Sequence, residues 1–136
     1  MTDAIQATIP LPPAALSPNA RVHWAKRAKA TKAHRFAAFV AFAAAKREAK
    51  WKHMRPIIVD IEYRCCKAAK GYAPKDAQNA LSSLKASFDA LQDACIVPND
   101  SARWLTLGKV ELLTRAADPR VKALGAGVTF TIREYP

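Results

Sequence analysis

Cysteine is scarce. The chain has three cysteines in 136 residues, two of them adjacent as Cys65-Cys66, which allows neither a disulfide framework nor a CxxC metal site. Histidine is equally thin: His23, His34 and His53 are scattered, with no Cys or acid at ligand spacing, so zinc is not indicated. No apolar run approaches the roughly 18 residues that a membrane-spanning helix requires. The opening MTDAIQATIPLPP carries an acid and no long apolar stretch, so it does not read as a secretion signal, and the expected compartment is the cytoplasm. Large apolar side chains are fewer than the 51% hydrophobic figure implies, because 29 of those residues are alanine. What remains suits one modest two-layer domain spanning residues 1–136. Acids are nearly absent from residues 19–55, where Glu48 stands alone against 11 Lys and Arg.

That last shortage shapes the functional reading. The net charge is +11, and residues 19–55 hold +10 of it. A basic block joined to a nearly neutral remainder implies a polyanionic partner, and nucleic acid is the commonest, since neutralising phosphates releases counterions. A merely solvated basic surface would not be so clustered. An anionic membrane surface fits poorly, because the basic segment is mostly Ala and Lys with apolar bulk only toward its end. The phosphate-contacting residues expected here are Arg21, Lys26, Arg27, Lys29, Lys32 and Arg35, with Lys70 and Lys75 from a later basic loop.

Apolar periodicity supplies the elements. Ile5, Ala7, Ile9 and Leu11 alternate and predict a strand ended by Pro12-Pro13. Ser17-Pro18-Asn19 reads as a helix-start signal, and Ala20 to Ala49, free of Gly and Pro, as a long helix. Phe36, Phe39, Val40 and Ala43 are its expected core stripe, with Trp24 packed at its start. Residues 57–64 alternate as a half-buried strand whose Asp60 and Glu62 offset neighbouring Lys and Arg. A second helix is expected over 76–94, with Leu81, Leu84, Phe88 and Leu91 as its apolar stripe. Strands over 104–113 and 128–135 follow, joined by a polar loop containing Asp118-Pro119. The order βαβαββ predicts an α+β domain, a mixed sheet of about four strands with two main helices on one face.

On a continuous second helix, Gln78, Ser82, Lys85 and Asp89 would share one polar stripe, with Asp76 at its entrance and Asp100 in the turn beyond. If that turn folds back, Asp76 and Asp100 meet near Lys85. Carboxylates beside a basic surface suit Mg²⁺-dependent phosphodiester cleavage, in which a lysine steadies the phosphate. Ordinary structure also accounts for these residues: an i, i+4 pair for Lys85 and Asp89, a helix-dipole charge for Asp76, turn chemistry for Asn99-Asp100.

Two separated motifs add to this. Ile9-Pro-Leu-Pro-Pro13 followed by Leu16-Ser-Pro-Asn-Ala-Arg-Val-His-Trp24 resembles the opening of RusA-type Holliday junction resolvases, particularly those carried by bacteriophages. Asp76-Ala-Gln-Asn79, Lys85, Asp89-Ala-Leu91 and Asp93-Ala-Cys-Ile-Val-Pro-Asn-Asp100-Ser resemble that family's acidic core: DxDN, a lysine, Asp-[Gly/Ala]-Leu, Ala-Gly and a closing Asp-Asp. The resemblance covers essentially the whole chain. It implies a homodimeric, Mg²⁺-dependent endonuclease that cuts four-way DNA junctions in recombination and repair, in the cytoplasm or nucleoid of a bacterial host. Asp76, Asp100 and Lys85 fall on catalytic positions; Asp76, Asp100, Gln78 and Asp89 are the expected metal ligands. Three departures stand out. Gln78 replaces the second Asp of DxDN, Asn99 the first of the closing pair, and Cys95 a glycine where the chain leaves the helix. Two lost carboxylates weaken a cation site, so a branched-DNA binder with impaired cleavage is the alternative. A basic RNA- or ribosome-associated protein is a third possibility that composition alone allows.

Overall fold

The computed structural model describes residues 4–66 and 71–136. The predicted alternation yields strands β1 (Ile5–Ile9), β2 (Ile57–Arg64), β3 (Leu105–Leu113) and β4 (Gly127–Glu134). They form one mixed sheet in the order β1-β4-β2-β3, with β4 antiparallel to both neighbours and β2 parallel to β3. The β2–β3 pairing shifts register between Val59 and Ile61, an extra residue of β3 placing Gly108 and Lys109 opposite Asp60; any Cβ on Gly108 would collide with the Asp60 carboxylate. The fold is the α+β domain that the element order predicts.

The core lies on the sheet face carrying Ile5, Ile9, Ile57, Val59, Phe130 and Ile132, all buried. Helix α1 (Trp24–Glu48) covers it together with the second helical region, which is two helices, α2 (Ala77–Ser83) and α3 (Lys85–Asp93). Phe42 of α1 and Phe88 of α3 both meet Phe130 edge-on, at 5.1 and 5.7 Å between ring centroids. His34 and Ser87 tie α1 to α3 through a buried 2.9 Å hydrogen bond.

Several expectations are corrected. α1 starts at Trp24 rather than Ala20, with the His23 ring accepting from the Ala25 amide as the N-cap. Ser17-Pro18-Asn19 makes a turn instead, closed by the Ala20 amide on the Ser17 carbonyl. The buried stripe of α1 is His34, Ala38 and Phe42; of the expected residues Phe39 packs half-buried against the core, while Phe36 is 64% and Val40 50% exposed. In a helix this rich in alanine, the largest side chains do not mark the buried face, because small residues let the helix approach α3 and the sheet most closely. Trp24 is 76% exposed and does not pack at the helix start.

The continuous second helix breaks at Leu84 (φ −99°, ψ 10°). Ser82 donates to the Gln78 carbonyl and Ser83 to the Ala80 carbonyl, and such local serine bonds compete with the helical ladder. The predicted polar loop between β3 and β4 contains a short helix, α4 (Pro119–Leu124), capped by Asp118 with proline in its first turn.

Candidate functional site

Of the expected phosphate-contacting residues, Arg21, Lys26, Lys29, Lys32 and Lys75 are exposed. Lys70 lies outside the described residues. Lys26, Lys29 and Lys32 step down α1 within about 120° of its circumference, forming one cationic row. Arg27 is occupied otherwise: its guanidinium donates to the Ala20 carbonyl at 2.9 Å and holds the chain ahead of the helix. Arg35 makes a two-pronged pair with Asp93, at 2.6 and 2.8 Å, which holds the Asp93 carboxyl below the usual carboxylate range.

The carboxylate constellation is brought together in part. Lys85 and Asp100 line one shallow groove of about 530 Å³ with Ser82 and Phe88, so the turn after α3 does fold back toward the helices. Lys85 sits 3.7 Å from Asp89, and Asp100 is exposed. Asp76 is not among the groove's lining residues; one of its oxygens accepts from the Asn79 amide at 2.8 Å as the cap of α2. Gln78 is exposed on α2, and Asn99 accepts from the Ser101 amide in the turn before β3. The break at Leu84 removes the continuous helix on which Gln78, Ser82, Lys85 and Asp89 were to share a stripe. Ser82 and Lys85 nevertheless reach the same groove.

Among the described residues, no group of three or more His, Cys, Asp and Glu side chains could hold a metal ion. The expected four-ligand set is therefore not preassembled within one chain. Mg²⁺ also binds through only one or two carboxylates, with waters and substrate phosphates completing its shell, and exposed Asp100 fits that open mode.

The sheet face away from α1 carries Asp60, Glu62, Glu111 and Arg133, with Arg120 of α4 reaching over it. Asp60 accepts from the Lys109 amide at 2.7 Å, and Glu62 and Glu111 both pair with Arg120. Asp60 and Glu62 thus offset neighbouring cations, as expected, rather than forming a free acidic pair. Arg64 is fully buried there, donating to Glu62, Thr129 and the Gly125 carbonyl. Sequence reasoning missed the cations at the far end of α1: Lys46, Arg47, Lys50 and Lys52 line a cavity of about 490 Å³ with Trp51. Their signal was present in the basic block, but charge density alone does not distinguish a solvated end from a cavity rim.

No protein-family model matches the chain and no curated protein matches it. Among the described residues no helix is long and apolar enough to cross a membrane.

Proposed function

We propose that this protein is a RusA-like, structure-selective endodeoxyribonuclease that cuts four-way DNA junctions as a homodimer with Mg²⁺. The observation that carries this reading is the meeting of Lys85 and Asp100 in one groove of a domain whose α1 presents an exposed cationic row. Lys26, Lys29 and Lys32 hold duplex arms through phosphates and carry no sequence information, which suits recognition by shape. Asp100 would hold the cation against a DNA phosphate in this groove. When bound, Mg²⁺ supplies an activated water and stabilises charge on the leaving oxygen. Lys85, its side chain 77% exposed, is free to exchange Asp89 for the phosphate being cut.

A second reading, a junction binder with impaired cleavage, is favoured by one observation: among the described residues no group of three or more His, Cys, Asp and Glu could hold a metal ion, and Gln78 and Asn99 stand where two further charges would help. Incubation with a labelled synthetic four-way junction, with Mg²⁺ or with EDTA, separates the two. Paired, Mg²⁺-dependent nicks support the nuclease; a shifted complex without nicks supports the binder; no preference over linear duplex counts against both. Asp100→Asn should cut cleavage by more than the ~10–100-fold typical of outer-shell changes, with junction affinity equal or higher. Gln78→Asp should let cleavage saturate at lower Mg²⁺.

A further inference from the structure

α1 and α3 end side by side, each in a left-handed residue, Lys50 (φ 57°) and Cys95 (φ 59°). Both residues line the cavity of about 490 Å³ between these ends. Its size falls within the ~300–1,000 Å³ of ligand pockets, and its walls are apolar, from Phe39, Ala43 and Trp51. Its rim is cationic, from Arg47, Lys50 and Lys52.

Three features could oppose an anion, and each is met. The carbonyl end of α1 is closed by Trp51 N–H on the Lys46 carbonyl and Lys50 N–H on the Arg47 carbonyl, at 3.0 and 3.1 Å. Asp93, the acid among the described lining residues, is taken up by Arg35 at 2.6 Å. The carbonyl end of α3 is covered by Lys46, whose Nζ donates to the Ala94 and Cys95 carbonyls at 3.2 and 3.3 Å. The remaining charge is positive. Trp51 is 4% exposed, and its Nε1–H has no acceptor among the described residues. The Arg55 guanidinium lies 4.2 Å from the Trp51 ring centroid, covering that face of the ring, and is itself paired with Glu134 at 3.2 Å.

A flat apolar body with acceptors on its edge and negative charge at its border satisfies all of these features. We infer that this cavity is a binding site for one unstacked nucleotide of a DNA strand, base against the half-buried Phe39 ring, flanking phosphates on Arg47, Lys50 and Lys52. The inference rests on the DNA-binding reading and adds to it a site that distinguishes strands with unpaired bases from fully paired duplex. Along α1, Arg47 lies about 30 Å from Lys26, so the cavity is separate from the cationic row that holds duplex phosphates.

The test measures anisotropy of the full chain with a short labelled oligothymidylate and with an abasic strand of the same length and charge. The parent should prefer the base-bearing strand by about 5–150-fold, the range that stacking one base provides. Ala43→Leu, which fills the apolar wall without changing charge or adding an aromatic ring, should reduce that preference. Lys26→Ala/Lys29→Ala/Lys32→Ala should weaken both strands together and keep the preference. Circular dichroism checks the fold of Ala43→Leu. As a second variant, Arg47→Ala/Lys52→Ala should cost oligothymidylate about tenfold more affinity than blunt duplex. Equal parent affinity for the two strands, or equal losses for oligothymidylate and duplex in the rim variant, overturns the site and leaves DNA binding standing. Competition by polyglutamate as effective as by oligothymidylate overturns it in favour of an acidic peptide. Failure of the parent to bind any strand or junction overturns both readings.

Discussion

Neutralising Lys26, Lys29 and Lys32 together should lower the salt dependence of DNA binding by a definite amount. None of the three joins an ion pair among the described residues, and all are exposed. Arg27 and Arg35 on the same helix are committed, one to the Ala20 carbonyl and the other to Asp93. Three free charges, not five, are therefore available to phosphates from this half of α1. Each phosphate neutralised on duplex DNA adds about 0.9 to the slope of log K against log salt, so the triple alanine variant should lose about 2.7. At about 0.15 M salt that loss weakens binding on the order of a hundredfold, because the counterion-release advantage scales with the same slope. The assay is anisotropy of a labelled four-way junction titrated over a series of salt concentrations. Thermal stability should be unchanged or slightly higher, since alanine is the better helix former at exposed positions. An unchanged slope would falsify the interface assigned to α1, making the row a solvated face. A drop as large with Arg27→Ala alone would mean that its carbonyl contacts are not what holds it.

The register of α1 makes two phenylalanines of one helix respond oppositely. Phe42→Ala should cost about 3–5 kcal/mol, lowering Tm by roughly 10–20 °C, while Phe36→Ala should stay within about 0.5 kcal/mol; comparable losses in thermal melts would refute that register. Cys95 occupies the left-handed position of a helix-ending motif closed by Cys95 N–H to Gln92 O and Ile96 N–H to Leu91 O, both 3.0 Å. Cys95→Gly should therefore stabilise the fold by about 1 kcal/mol, and a lower urea midpoint would contradict this. Burial holds His34 below its usual 6.5, so as pH falls through that value the unfolded chain takes up the proton first and stability drops; stability rises as pH rises back through it. The urea midpoint should be lower at pH 5.5 than at pH 7.5, and His34→Gln should reduce that difference.

The strands and the two-layer α+β class were legible in the sequence because a period of two has one physical meaning: alternate residues must face a core. The sites of the three main turns were also legible, since Pro12-Pro13, Pro56 and Pro98-Asn99 cannot continue a regular element. The helices were legible in existence but not in detail. Alanine gives α1 helix propensity on every face, so its own pattern could not say which side would meet α3. The partner decided that, burying Ala38 beside His34 and Phe42 and leaving Phe36 and Val40 outside. Ser82 and Ser83 mark the break at Leu84, yet apolar spacing carries on across it, and only the packing of α2 against β3 and of α3 against α1 shows two helices. At the site, composition and motif determined which residue types were available: a basic helix, spaced carboxylates and a lysine. The tertiary structure decided which charges are free. It tied Arg27 and Arg35 to structural partners, set Asp76 as a cap, and placed Asp100 and Lys85 on one groove across a turn. A charge's availability depends on what lies within a few ångströms of it, and that distance is a property of the folded chain, not of sequence spacing.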